Sequence, residues 1–392
     1  RRSGYPLFSG FFAGYRPLPC GLAPAFFRQV AIRLPALCNM LVALGLWHGG
    51  LAVAPAHAQA SAPGFIDVHV HLAAGRGSNA DYHGAVEEAL KHMDRFGIRT
   101  AIILPPPQVG ENNWYDYPDF VDALQRYPGR FAFLGGGGRL NSQLHRYAEP
   151  SSVTQEVKQA FAEAAAGVIA AGAVGFGEIA SLHISHMPGH PFEYVPADHP
   201  LLLLLADVAA RLDVPIDLHM DAVAEKSPTP TRYAGDHNPP ELPATIGGLR
   251  RLLAHNGKAR IVWAHGGSDP LGAMTAATIS DLMDDYPNLY LSLRVVGDRA
   301  PVANKLFAHG RLESRWLALL KRHPDRFVIG TDSFFAPPHL KGTGPGVEFS
   351  KRNAPKFKAT RHFLSLLPAT LARKVAVENA VRIYRVRGAG PD

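Results

Sequence analysis

The sequence predicts an α/β protein built as a single (β/α)8 TIM barrel, and three observations carry that reading. From Gly64 onward, short apolar runs rich in β-formers alternate eight times with helical stretches, the pattern of a parallel sheet covered by helices. One punctuation recurs, a helix end followed by a Pro stop and a strand start, in Tyr127-Pro128-Gly129-Arg130-Phe131, Tyr286-Pro287-Asn288-Leu289 and His323-Pro324-Asp325-Arg326-Phe327. No linker-like stretch divides residues 59–392, so the eight units belong to one domain.

The strands are expected, in order, at Phe65–Val70, Thr100–Leu104, Phe131–Leu134, Ala173–Gly177, Val214–Leu218, Arg260–Ala264, Leu289–Leu293 and Phe327–Ile329. Between them, helices are expected at Tyr82–Phe96, Gln155–Ala171, Leu201–Leu212, Ile246–Ala254, Leu271–Tyr286 and Leu312–Arg322. Parallel strands require such crossovers. In this architecture chemistry sits at the C-terminal ends of the strands, so those ends are read in turn.

The first strand ends in Asp67-Val68-His69-Val70-His71, and alternation puts His69 and His71 on one face, toward the barrel mouth, where two imidazoles can share a metal ion. Alone, such a pair is a weak signal and more often a satisfied core or surface feature. The fourth strand ends at Glu178 in Gly175-Phe176-Gly177-Glu178-Ile179, whose plainer role is a surface acid or helix cap. The fifth ends at His219 after Ile216-Asp217-Leu218, the sixth at His265 in Trp263-Ala264-His265-Gly266-Gly267, and the eighth at Asp332 in Ile329-Gly330-Thr331-Asp332. Five strands of one barrel ending in imidazole or carboxylate point jointly to a divalent metal. The seventh ends in Ser292-Leu293-Arg294, where Arg294 is either a clamp for a substrate carboxylate or phosphate or a salt bridge across the rim.

Composition removes other classes. The net charge of +7 contains five arginines from residues 1–58, which hold no acid, and the remainder carries 35 basic against 33 acidic residues. Both cysteines, Cys20 and Cys38, lie in that same segment, so thiol catalysis, Cys-ligated zinc and disulfides are excluded from residues 59–392. There is no P-loop, no dinucleotide G-x-G-x-x-G and no basic stripe interleaved with aromatics, and no nucleic-acid partner is expected.

The pattern resembles the amidohydrolase superfamily, specifically the amidohydrolase-related group that contains metal-dependent hydrolases and aminocarboxymuconate-semialdehyde decarboxylase. The resemblance runs from about Phe65 to Arg385 and includes the C-terminal Glu378-Asn379-Ala380-Val381-Arg382-Ile383-Tyr384, which looks like the helix that closes these barrels. It implies that His69, His71 and Asp332 hold a first metal and that His219 is a further ligand. His265 would either join His219 on a second metal or polarise substrate or water. Glu178 would bridge two metals, as the strand-four Glu does in TatD-type nucleases and phosphotriesterase-homology proteins. No Lys stands near that strand end, which disfavours a carbamylated lysine.

Such a site, holding one or two ions of Zn2+ or Mn2+, lowers the pKa of water and polarises a carbonyl or phosphoryl oxygen. Asp332 would serve as general base and His265 as a second electrophile. The expectation is a metal-dependent hydrolase of an ester, lactone, amide or other C–N bond in a small molecule. A non-oxidative decarboxylase of an aromatic or unsaturated acid is the alternative, and a non-catalytic exported binding protein is the third class.

Residues 1–58 read as a secretory leader, because Arg28 and Arg33 precede an apolar run from about Leu34 to Val53 and Ala56-His57-Ala58 forms an A-x-A site. Cleavage is expected before Gln59, giving a periplasmic or secreted protein with no stable membrane span, and a homo-oligomer is compatible with the sequence. Trp114, Tyr115 and Tyr117 are either an aromatic substrate wall or packing. His183, His186 and His190 offer a loop metal site, although structural roles explain them as well. The stretch from Ser333 to Lys358, with Lys341, Lys351, Arg352, Lys356 and Lys358, lacks periodicity and is expected to be a lid or disordered segment with a solvated basic surface.

Overall fold

Eight parallel strands surround one axis: Phe65–Leu72, Ile98–Ile103, a third in two pieces (Phe131–Phe133 and Gly135–Gly136), Phe176–His183, Pro215–Met220, Arg260–Gly266, Leu289–Leu293 and Phe327–Ile329. The structure is a computed structural model that describes residues 62–386 apart from 76, 111–114, 188, 236 and 343–344. The leader and Trp114 lie outside the described residues. The eighth strand pairs the first, with Asp67 opposite Ile329. The third strand is interrupted at Leu134: its first piece pairs the second strand, its second piece pairs the fourth, and the amide of Leu134 donates to the Ile103 carbonyl between them. The ring thus runs through all eight strands, as a TIM barrel requires.

The crossover helices include Tyr82–Phe96, Gln155–Ala170, Pro200–Leu212, Ile246–His255, Ala276–Asp285 and Ser314–Arg322. The first begins where Asp81 accepts the Gly84 amide at 2.8 Å, a capping contact that ties down an end amide. The helix expected from Leu271 starts at Ala276 instead, because the Asp269 carboxylate takes the amides of Leu271, Gly272 and Met274 into a turn. Leu312, expected to open the helix after the seventh strand, lies in a two-residue hairpin with Phe307–Ala308. The segment from Ser333 is also ordered differently from expectation. Ser333–Phe335 pairs with the first strand, and helices cover Pro345–Ser350 and Asn353–Leu366. No described helix is long and apolar enough to cross a membrane.

Ile66, Val68, Leu134, Val262 and Val328 form an inner cluster, closed by Ala380, Ile383 and Tyr384 of the C-terminal helix. Phe65, Val70, Phe176, Ile179, Ile261 and Trp263 belong to the larger outer cluster between strands and helices. These assignments expose three breaks in alternation. Pairing shifts register between Asp67 and Val70, between Phe176 and Ile179, and between Trp263 and Gly266. Irregularities of this kind re-aim side chains. Here they turn His69, Glu178 and His265 into the mouth, with a left-handed φ of 73° at His265 completing the last turn.

A glycine run, Gly135–Gly138, ends the third strand. The Asp116 carboxylate accepts the amides of Gly136, Gly138 and Arg139 and fixes the run. A Cβ at Gly137 would collide with the Pro105 carbonyl and stand 3.1 Å from the Glu178 backbone. Only glycine fits there.

Candidate metal centre

The strand ends bring the six expected metal ligands, His69, His71, Glu178, His219, His265 and Asp332, together at the mouth. His69 Nε2 and His71 Nε2 lie 3.1 Å apart, at 3.4 and 3.3 Å from Glu178 Oε2. His71 Nε2 also lies 3.4 Å from Asp332 Oδ1. The other carboxylate oxygen faces a second pair: Glu178 Oε1 is 2.6 Å from His219 Nδ1 and 3.3 Å from His265 Nε2, and those two nitrogens are 3.1 Å apart. One carboxylate therefore spans two nests of nitrogen donors. The donor atoms of His69, His71 and Asp332, and those of His69, Glu178 and His265, each fall within 4.8 Å of one another.

The ring orientations suit a cation. His71 Nδ1 donates to the Leu104 carbonyl at 2.8 Å, and His69 Nδ1 donates to Asp217 at 3.2 Å. That leaves both Nε2 atoms aimed at the same place, and two protons do not fit in a 3.1 Å gap. His219 turns Nε2 toward Asp221 at 3.6 Å and its Nδ1 inward. Burial disfavours charge on His69, yet the Asp217 and Glu178 carboxylates outweigh it and push the ring well above the ordinary imidazole value. Burial would likewise raise Glu178, but His69 and the hydrogen bonds from His219 and His265 hold it well below the usual carboxylate range. A set of imidazoles and carboxylates that draws positive charge to a buried point fits a Zn2+-like or Mn2+-like ion.

Asp332 joins the strand-eight end to its surroundings. Its backbone takes a left-handed φ of 52°, its Oδ2 lies 3.1 Å from Arg294 Nη1, and Lys356 Nζ donates to its carbonyl oxygen. Burial opposes ionisation of Asp332, and the Arg294 charge leads the groups that outweigh it and hold the carboxyl well below its ordinary range. Arg294 thus forms the rim salt bridge of its two expected roles. Burial also pulls the Lys356 ammonium down to about 8, against the attraction of Asp332.

Sequence reasoning assigned Lys356 to a solvated basic surface, whereas it is buried in the helix Asn353–Leu366. The available signal was the spacing of Lys356, Phe357, Thr360, Phe363 and Leu364, which marks one helical face. Asp217 was also missed as a partner, although it precedes His219 by two residues and so shares its face. His183, His186 and His190 gather over the site without forming a metal cluster among the described residues. His183 Nδ1 donates to the Pro191 carbonyl at 2.8 Å, and His190 Nδ1 accepts the His186 amide at 3.2 Å. The His183 ring packs against His219 at 4.6 Å, and Phe334 packs against His71 at 4.5 Å. Tyr115 donates to the Leu72 carbonyl and Tyr117 stacks on Phe133, so both are packing elements.

A parallel barrel whose mouth converges imidazoles and carboxylates defines a metal-dependent TIM-barrel enzyme class. The sequence matches the amidohydrolase family over residues 66–386, and the chain belongs to that family. No curated protein sequence matches it. Among solved structures, it is similar to a mutant PTE-like lactonase from Deinococcus radiodurans, at 13% identity and TM-score 0.50, covering 83% of this chain and 97% of that one. It is also similar to a dihydroxybenzoic acid decarboxylase from Polaromonas sp. JS666, solved with bound manganese and the inhibitor 2-nitroresorcinol, at 13% identity, TM-score 0.42 and coverage of 82% and 97%. A third, amidohydrolase 2 from Bifidobacterium longum subsp. infantis, has 12% identity, TM-score 0.41 and coverage of 82% and 99%.

Proposed function

We propose that this protein is a metal-dependent hydrolase that cleaves an ester, lactone, amide or other C–N bond of a small molecule. The carrying observation is Glu178, whose two oxygens face two separate nests, His69 with His71 and His219 with His265. His69, His71 and Asp332 would hold one divalent ion, His219 and His265 a second, and Glu178 both. Zn2+ is the first candidate and Mn2+ the second. When bound, such ions supply Lewis acidity, which makes water a nucleophile near neutral pH and polarises a scissile carbonyl. Asp332, kept ionised by Arg294, accepts the proton of the attacking water at a carboxylate oxygen and returns it to the leaving group. His183 and Phe334 pack against His219 and His71 and hold those two rings in place.

Arg294 Nη1 meets Asp332 while its Nε has no partner among the described residues, so this contact supports an ionised Asp332 and leaves the choice between hydrolysis and decarboxylation to the labelled-water experiment below. The Ala56-His57-Ala58 site supports export, which N-terminal sequencing of the purified protein tests by reading Gln59 as the first residue. For the reaction, Zn2+- or Mn2+-loaded protein is screened on esters, lactones and amides in 18O-labelled water. Label in the acid product supports the hydrolase. Carbon dioxide release without label selects the lyase, and neither activity with any tested metal overturns the enzymatic reading.

A further inference from the structure

Asp217 is fully buried inside the barrel, one layer beneath the candidate metal centre. Its oxygens lie 3.1 and 3.2 Å from His69 Nδ1, and no other hydrogen-bond donor reaches its carboxylate among the described residues. A carboxylate in an apolar interior with a single donor is costly, and replacing such a group with a hydrocarbon is often neutral or stabilising. His71, the neighbouring ligand candidate, shows that a backbone carbonyl suffices to orient an imidazole. His69 instead faces the Asp217 carboxyl group, which burial pushes up and His69 draws back down. A carboxylate on one ring nitrogen fixes the tautomer and makes the opposite nitrogen a stronger donor.

We propose that Asp217 is a positioning residue that locks the hydrogen of His69 on Nδ1, aims Nε2 at the cation site and makes His69 the stronger donor of the His69 and His71 pair. Asp217 thereby trades stability of the ion-free protein for cation affinity. This inference rests on the metal-centre reading, but its test separates the two.

Zn2+ is titrated into chelator-stripped wild type, Asp217→Asn and Asp217→Leu, while the melting temperature of each stripped protein is recorded. Affinity is expected to fall 10- to 100-fold in both variants, more in Asp217→Leu, while stripped Asp217→Leu melts no lower than wild type. A merely structural carboxylate predicts the opposite, a lower melting temperature with unchanged affinity. Nitrogen-15 NMR of histidine-labelled wild type gives a second readout and is expected to place the His69 hydrogen on Nδ1. Affinities within twofold of wild type in both variants, or a His69 hydrogen on Nε2, overturn the proposal. If Asp217→Leu does not fold, Asp217→Asn carries the affinity test. If wild type binds no Zn2+, the metal-centre reading fails, and the nitrogen-15 spectrum still decides the tautomer lock.

Discussion

Gly330 stands between the seventh strand and His69, where the mouth has no room for one more methyl group. A Cβ there would meet Ser292 Cβ at 2.9 Å, His69 Cβ at 3.0 Å and Ser292 Oγ at 3.0 Å. Ordinary carbon contacts begin near 3.5 Å, so Gly330→Ala must push these neighbours apart by about half an ångström. Overpacking of this kind costs about 1–3 kcal/mol, or roughly 1.5–4.5 °C in melting temperature for a domain of this size. The movement falls on His69, whose Nε2 meets His71 Nε2, Glu178 and the candidate cation, and sites of this type tolerate only about 0.5 Å of error. Zn2+ affinity should therefore fall at least tenfold. Two companions sharpen the test. Gly167→Ala, in the last turn of the helix Gln155–Ala170 with nothing within 4 Å of the new methyl, should stabilise by up to about 0.5–1 kcal/mol. Gly330→Ala combined with Ser292→Gly removes the Ser292 contacts but keeps the one to His69, so stability should recover while affinity stays low. Calorimetry and Zn2+ titration read both quantities. A Gly330→Ala protein with wild-type stability and wild-type affinity would refute the packing argument.

Other outcomes follow from the same geometry. Glu178→Gln, which weakens the bridge between the two nests, should lower bound metal from two equivalents to one by elemental mass spectrometry, and two retained equivalents would contradict a bridging role. Arg294→Met should reduce kcat/KM about 10- to 100-fold on neutral and anionic substrates alike, because Asp332 loses the buried ion pair that keeps it charged. A loss confined to anionic substrates would restore Arg294 to the role of substrate clamp. Burial pushes the Glu193 carboxyl up to about 7, opposed by its 2.7 Å hydrogen bond from Asn141. The folded protein then keeps a proton that the unfolded chain releases near 4.5, so stability should fall as pH rises from about 4.5 through 7, by about 3 kcal/mol. Urea unfolding at pH 5 and pH 8 should show that fall in wild type and its absence in Glu193→Gln, and parallel behaviour of the two would reject it.

The strands were legible because buried parallel strands are short apolar runs between turn residues, and the seventh and eighth match their expected bounds. The site was legible as a set of strand ends but not as a set of directions. Alternation alone places His265 with Ile261 and Trp263, whose side chains point outward, and only the register shift and the positive φ bring it in. Glu178 was expected just beyond a strand, yet it is the third residue of one that continues to His183 and pairs there with Glu193–Tyr194. That extension depends on an antiparallel partner in the loop leading to the helix Pro200–Leu212, where the two residues Glu193 and Tyr194 are too short a run to read as a strand. The helix Asn353–Leu366 was hidden for a simpler reason. Its buried face includes Asn353 and Lys356, which bond the Phe334 and Asp332 carbonyls, and Thr360, whose hydroxyl donates back to the Lys356 carbonyl, and hydropathy does not mark these polar residues as buried.

The glycine run at the end of the third strand divides the mouth into two arcs of different evolvability. On one side the wall is main chain, since any side chain at 137 would strike the Pro105 carbonyl and the backbone of Glu178. Point mutation cannot redecorate that arc without displacing the carboxylate on which both nests depend. New selectivity has to be written on the rest of the rim, where His183, His190, Phe334 and Phe349 meet through ring contacts of 4.5–6.0 Å. A combinatorial library for altered substrates belongs on His190 and Phe349, which contact none of the candidate ligands, while 135–138 serves as the fixed datum against which their changes are measured.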